Sequence, residues 1–120
     1  MAAKDEFGRA GEDRAAQHLQ ARGYEILERN WRCPQGEIDI VAARDDLLCV
    51  IEVKTRRSER FGHPFEAIDE RKRRRLWRLA FAWAEAHPGL SRGRRLHLEV
   101  IGLTGAEVAD ARLEHLEDLR

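Results

Sequence analysis

The chain has 120 residues, 42% hydrophobic and 37% charged, with 22 Lys/Arg balanced by 22 Asp/Glu. That length suits one domain over 1–120 rather than two. The charged share lies above the usual value of about 25%, and without a long apolar run the sequence excludes a membrane-spanning helix.

The start, MAAKDEFGRAGEDR, is too polar for a secretory leader, so the expected location is the cytoplasm. Cys33 and Cys49 lie 16 residues apart without a C-x-x-C, and the five histidines show no metal-ligand spacing. Neither a disulfide framework nor a zinc site is expected, and the thiols read as reduced and packed.

Charge is unevenly placed. Residues 1–53 hold 7 Lys/Arg against 11 Asp/Glu, residues 54–95 hold 13 against 5, and residues 96–120 hold 2 against 6. A basic middle can attract a polyanion while the whole chain stays neutral. A solvated helix face with ordinary scatter would give the same counts.

Residues 5–22 read as a helix, with Phe7, Ala10, Gly11, Ala15 and Leu19 near one stripe and Gly23 as its stop. A weak strand follows over 24–29, with Tyr24, Ile26 and Glu28 on one side. Cys33-Pro34-Gln35-Gly36 is turn chemistry. Residues 37–43 and 47–55 then form an antiparallel hairpin about a polar turn at Arg44-Asp45-Asp46. After a loop at 58–64, residues 65–87 read as one long helix with Ile68, Leu76, Leu79, Ala80 and Trp83 as its core stripe. Pro88-Gly89 ends it, and 96–103 is a further strand. The tail, with Leu113, Leu116 and Leu119, reads as a short helix or a last strand. The order α-β-β-β-α-β predicts a three-layer α/β domain, a mixed central sheet flanked by helices.

The chemistry lies in Gly36-Glu37-Ile38-Asp39 and in Val50-Ile51-Glu52-Val53-Lys54-Thr55-Arg56. Glu52 and Lys54 are two apart on an apolar strand, so both leave the same face. Asp39 is within hairpin range of Glu52. Phosphodiester hydrolysis needs such a set. Asp39 and Glu52 offer hard oxygen ligands to Mg²⁺ or Mn²⁺, which neutralises phosphate charge and acidifies a bound water. The Val53 carbonyl could complete the shell. Lys54 could position the water or steady developing charge. A sheet face on which Glu52 and Lys54 merely form an ion pair has the same spacing.

Arg56, Arg57 and Arg60 follow Lys54, and Arg71, Lys72, Arg73, Arg74, Arg75 and Arg78 lie on the next helix. Facing one ligand, such side chains would hold phosphates without reading sequence. Among the tryptophans, Trp77 and Trp83 are expected to pack the helix on the sheet. Trp31, read as lying in a loop, is the better base-stacking candidate.

Asp39, then 12 residues, then Glu52-Val53-Lys54 resembles the PD-(D/E)xK signature of restriction-endonuclease-like nucleases. More closely, the chain is similar to the bacterial YraN family, related to archaeal Holliday junction resolvases. The resemblance covers residues 8–103. It rests on Gly8-x-x-Gly11-Glu12, Ala15, Leu19, Gly23-Tyr24 with Ile26-Leu27, Asn30-x-Arg32, Gly36-Glu37-Ile38-Asp39, Glu52-Val53-Lys54-x-Arg56, Phe61-Gly62-x-Pro64, Glu66-Ala67-Ile68 and Lys72.

The resemblance implies a restriction-endonuclease-like fold, with Asp39, Glu52 and Lys54 as catalytic residues. It implies Glu12 as a third metal-site acid, Glu37 as an auxiliary acid or equally a salt-bridge partner, and Lys72 as a phosphate contact. With the basic run, the expected nucleic-acid contacts are Arg56, Arg57, Arg60, Lys72 and Arg75. The implied activity is a Mg²⁺- or Mn²⁺-dependent endonuclease on DNA, structure-selective on branched DNA, in repair or recombination. The resolvase relationship implies a homodimer. The alternative is a non-catalytic nucleic-acid-binding module with the same fold; a protein-interaction domain is a third reading without specific support. Two departures stand out. Leu96-His97-Leu98-Glu99-Val100 replaces the family's Arg-Phe-Asp-Val, and Ile38 precedes Asp39 where the superfamily name has proline.

Overall fold

A computed structural model describes residues 5–119. In chain order the elements are α1 (Glu6–Ala21), β1 (Glu25–Cys33), β2 (Gly36–Arg44), β3 (Leu47–Arg56), a 3-10 turn (Pro64–Ala67), α2 (Glu70–Ala86), the one-turn α3 (Pro88–Ser91), β4 (Arg95–Thr104), a second 3-10 turn (Val108–Asp110) and β5 (Arg112–Leu116). The sheet runs β1-β2-β3-β4-β5. It is antiparallel except for β3 and β4, which are parallel across the α2 crossover. The expected mixed α/β architecture is what the chain adopts.

Alternation along the strands builds two cores. On one face Ala15, Ala16 and Leu19 of α1 meet Ile40, Ala42, Ile51, Ile101 and Leu103. On the other, Leu76, Leu79, Ala80 and Trp83 of α2 meet Ile38, Val41, Leu48, Val50 and Leu98. These are the three layers read from periodicity.

Gly11 seats α1 on β3. A Cβ there would lie 2.1 Å from Thr55 Oγ1 and 3.0 Å from Thr55 Cβ. Overpacking costs about 1–3 kcal/mol, against about 1 kcal/mol that alanine gains over glycine in a helix. Because the clash falls on a short β-branched side chain, the cost lies in the upper part of that range, about 2–3 kcal/mol, and Gly11→Ala is expected to lower stability by about 1–2 kcal/mol. Urea unfolding checks this, and unchanged stability would mean that α1 is not held down at this point.

The structure corrects three expectations and decides a fourth, open between helix and strand. β1 runs on to Cys33, so Trp31 lies in a strand opposite Ile38, not in a loop. It packs into the α2-side core and meets the His87 ring at 6.2 Å, which leaves it a poor stacking platform. Tyr24, Ile26 and Glu28 do not share a side. A bulge between Ile26 and Glu28 shifts the register, and Glu28 accepts a hydrogen bond from Trp83 Nε1 on the α2 side at 2.8 Å. The helix expected over 65–87 is broken. Pro64–Ala67 makes a 3-10 turn, and α2 starts at Glu70 because Asp69 caps it by accepting from the Lys72 amide at 2.8 Å. The tail resolves as a strand, β5, beside β4.

Glu99 lies in β4 and is fully buried. Its Oε1 accepts from Tyr24 O–H at 2.9 Å and from His115 Nε2 at 2.6 Å. A His115 that donates through Nε2 presents Nδ1 as acceptor, and His18 Nε2 stands 3.1 Å from it. Burial alone would raise the Glu99 pKa, but the bonds from His115, Tyr24 and Cys49 outweigh it and hold the carboxyl below its ordinary value. Burial and then the neighbouring His115 push His18 down. Burial and then Glu99 push Cys49 up, and burial with the Glu99 bond pushes Tyr24 up.

Depressed groups stabilise the fold above their ordinary values and lose that contribution as pH falls; raised acids lose theirs as pH rises. Stability is expected to be flat between the ordinary values of His18 and Cys49, 6.5 and 9.0, and to fall on either side. Cys49→Ala should move the alkaline onset from 9.0 to the 10.0 of Tyr24. Urea midpoints across pH test this; an unmoved alkaline limb would remove Cys49 from the account.

Candidate active site

The β2–β3 ladder pairs Arg44 with Leu47 and runs to Ile40 with Ile51. One further step of the same register would set Asp39 against Glu52. The ladder stops there, and Asp39 Oδ2 accepts from the Val53 amide at 2.8 Å. A side chain takes the place of a strand carbonyl, and the hairpin opens into a cavity. Gly36, Glu37, Asp39, Glu52, Lys72 and Arg75 line it.

Asp39 and Glu52 are both buried, at 7% and 5% exposure. Buried carboxylates need compensating charge. Glu52 Oε2 has two ammonium groups, Lys54 Nζ at 3.0 Å and Lys72 Nζ at 3.2 Å. The Glu52–Lys54 ion pair does form, but on a covered face rather than a solvated one. Lys72, expected to contact phosphate, rests here on Glu52. Glu37 pairs with Arg32 at 3.3 Å.

Glu12 is also buried, at 2% exposure. It stands on α1, and its Oε1 lies 3.5 Å from Arg29 Nη2. It lines a different cavity, with Phe7, Gly8, Val53, Lys54, Thr55 and Arg56. Lys54 also lines a third cleft, with Ala67, Asp69, Arg71, Lys72 and Arg75. Of the four expected site residues, Asp39 and Glu52 share one cavity, whereas Glu12 and Lys54 line another that has no lining residue in common with it; Lys54 is tied to the first through its ion pair with Glu52. Asp39 and Glu52 fit a hard divalent cation by donor type, both being oxygen ligands, while Lys72 and Arg75 in the same lining oppose its entry.

Of the expected phosphate contacts, Lys72 and Arg75 line the acidic cavity as well as the basic cleft. Arg56 is partly buried and donates to the Thr55 carbonyl. Arg57 lies over the Phe7 ring at 4.1 Å, and Arg60 over the Phe61 ring at 5.6 Å. Arg71 belongs to the basic cleft, which the helical spacing alone did not single out. Phe61 is 92% exposed beside Arg60 and is a better stacking candidate than Trp31. Its signal was an aromatic in a turn flanked by arginine.

Among the described residues one group of three metal-ligand side chains converges, Glu59, His63 and Glu114. Distance along the chain hid it. His63 Nδ1 accepts from the Phe65 amide at 3.0 Å, so a neutral ring carries its proton on Nε2, which meets Glu114 at 2.7 Å. A metal on Nε2 would have to displace that proton and the cap together, and Glu59 already pairs with Arg112.

A model of the uncharacterised protein family UPF0102 matches residues 11–103, which include Glu12, Asp39, Glu52, Lys54 and Lys72. The chain belongs to the UPF0102 family. This is the YraN family that the motifs resemble. A UPF0102 protein of Paenarthrobacter aurescens (strain TC1) is 50% identical over 116 residues, 97% of this chain and 94% of the relative. One from Renibacterium salmoninarum is 47% identical over 119 residues, 99% of both chains. One from Pseudarthrobacter chlorophenolicus is 57% identical over 83 residues, 69% of this chain and 63% of the relative. The matches to the first two span nearly the whole of this UPF0102 chain, so the family includes α1 and β5 as well as the central hairpin. No helix of the described residues is long and apolar enough to cross a membrane.

Proposed function

We propose that this UPF0102 protein is a metal-dependent endonuclease acting on DNA, selective for branched structures. The observation that carries the reading is the opened β2–β3 ladder, where Asp39 and Glu52 line one cavity with Lys72 and Arg75. Asp39 and Glu52 would hold Mg²⁺ or Mn²⁺, while Glu12, in a separate cavity, would join them only after a rearrangement. The ion would supply Lewis acidity and an acidified water. Lys54 would orient the attacking water or balance charge developing on the phosphate. Lys72, Arg75 and Arg71 would hold flanking phosphates, with Arg56, Arg57 and Arg60 extending the contact. Two copies would be needed to cut both strands of a junction.

One observation favours a second reading, a nucleic-acid-binding module without catalysis. Two lysines already sit on the Glu52 oxygen that a metal would use.

The test is cleavage by the purified protein with Mg²⁺ or Mn²⁺ on four-way junctions, flaps, single strands and linear duplex. Junction or flap cleavage in preference to duplex supports the nuclease. Salt-sensitive binding to all four without any cleavage would leave the binding module.

A further inference from the structure

We propose that Lys72 is a displaceable counter-charge, through which a divalent cation at Glu52 and a phosphate in the adjoining basic cleft favour each other's binding. The inference rests on the metal-site reading above and adds to it how that site is regulated.

Three observations carry it. Lys54 and Lys72 share a single oxygen of a buried carboxylate, at 3.0 and 3.2 Å. A divalent cation on that oxygen would bring two positive charges to a place that already holds two. Like charges a few ångströms apart in a recess repel strongly, so at least one ammonium must leave.

The two lysines differ in their freedom to do so. Lys54 lies on β3, two residues from Glu52 on the same face. Lys72 comes from the first turn of α2 on a flexible stem. Lys72 also lines both spaces, the acidic cavity with Asp39 and Glu52 and the basic cleft with Lys54, Arg71 and Arg75. Its ammonium can therefore change rooms without a move of the helix.

The basic cleft holds a single acid, Asp69, whose Oδ1 caps α2, against three other cations, Lys54, Arg71 and Arg75. A phosphate oxygen there would supply the partner that Lys72 loses when the cation takes Glu52. Linkage then works in both directions: phosphate draws Lys72 away and opens Glu52 to the cation, and the cation releases Lys72 to the phosphate.

The test is Mn²⁺ binding by the full chain, followed by the electron paramagnetic resonance signal of free Mn²⁺. Sulfate serves as the phosphate probe, against chloride at equal ionic strength. Lys72→Gln should bind Mn²⁺ roughly tenfold tighter than wild type in chloride. Sulfate should tighten Mn²⁺ binding several-fold in wild type and leave Lys72→Gln unchanged. Arg73→Gln removes the same charge from the same helix, but Arg73 pairs with Glu70 outside both spaces; it should behave as wild type.

Equal or weaker Mn²⁺ binding by Lys72→Gln overturns the inference, as does a sulfate effect of the same size in both proteins. If Glu52→Gln abolishes Mn²⁺ binding while Lys72→Gln changes nothing, the metal site stands and Lys72 alone is excluded. If Glu52→Gln binds Mn²⁺ as wild type does, the metal-site reading falls and takes this inference with it.

Discussion

Glu52→Ala is expected to cut nuclease turnover by roughly 10³-fold while leaving DNA binding intact or tighter. The size follows from removing a proposed ligand of the ion that would stabilise transition-state charge, where loss of even one charge-stabilising donor costs about 10²–10³-fold. The divergence between cleavage and binding follows from the structure. Glu52 Oε2 holds Lys54 and Lys72, and its removal frees two cations in a cavity that Arg75 also lines. Freed cations strengthen phosphate contact and steepen the salt dependence of binding. Lys54→Ala should also abolish cleavage but weaken binding, because it removes a cation instead of releasing one. Gel assays of cleavage and anisotropy titrations at several salt concentrations separate the two effects. Glu52→Ala retaining turnover within a few-fold of wild type would sink the role given to the carboxylate.

Trp83→Ala should cost about 3–5 kcal/mol of stability, the range for emptying a large buried aromatic site. Trp83 is fully buried on α2 and is the largest enclosed side chain among the described residues. It stacks on His87 with ring centroids 4.0 Å apart, and its Nε1 donates to Glu28 at 2.8 Å. The loss also leaves Glu28 short of a donor, and it loosens α2, which carries Lys72 and Arg75. Trp83→Phe keeps most of the volume and should cost less. Thermal and urea unfolding of both variants give the comparison; a loss under about 1 kcal/mol for Trp83→Ala would mean that the site collapses or rewets freely.

The central hairpin was legible because its residues alternate cleanly and its turn is short. The core stripes of both helices were legible for the same kind of reason, a period of 3.6. β1 was read too short because Asn30, Trp31 and Arg32 look like a loop; only pairing with β2 makes them a strand. The start of α2 was misplaced because Phe65-Glu66-Ala67-Ile68 has helical composition, and the Asp69 cap decided otherwise. Asp39, Glu52 and Lys54 were found as charges inside apolar strands. The second lysine on Glu52 was not, because nothing in local spacing says which way a residue of a basic run points. Glu99 stood out in the sequence only as a departure from a pattern. Its partners, Tyr24 and His115, are 75 and 16 residues away, and such a network exists only once the sheet has formed.

The Asp39–Val53 bond has a use for the spectroscopist. In most of β3 an amide is protected from hydrogen exchange by a strand neighbour, and it opens only when the sheet does. The Val53 amide is held by a side-chain oxygen of Asp39, a residue proposed above to bind an ion. Its exchange rate and chemical shift therefore follow the carboxylate and not the global unfolding equilibrium. One backbone resonance would report on occupancy of the cavity, without substrate, turnover or an added label.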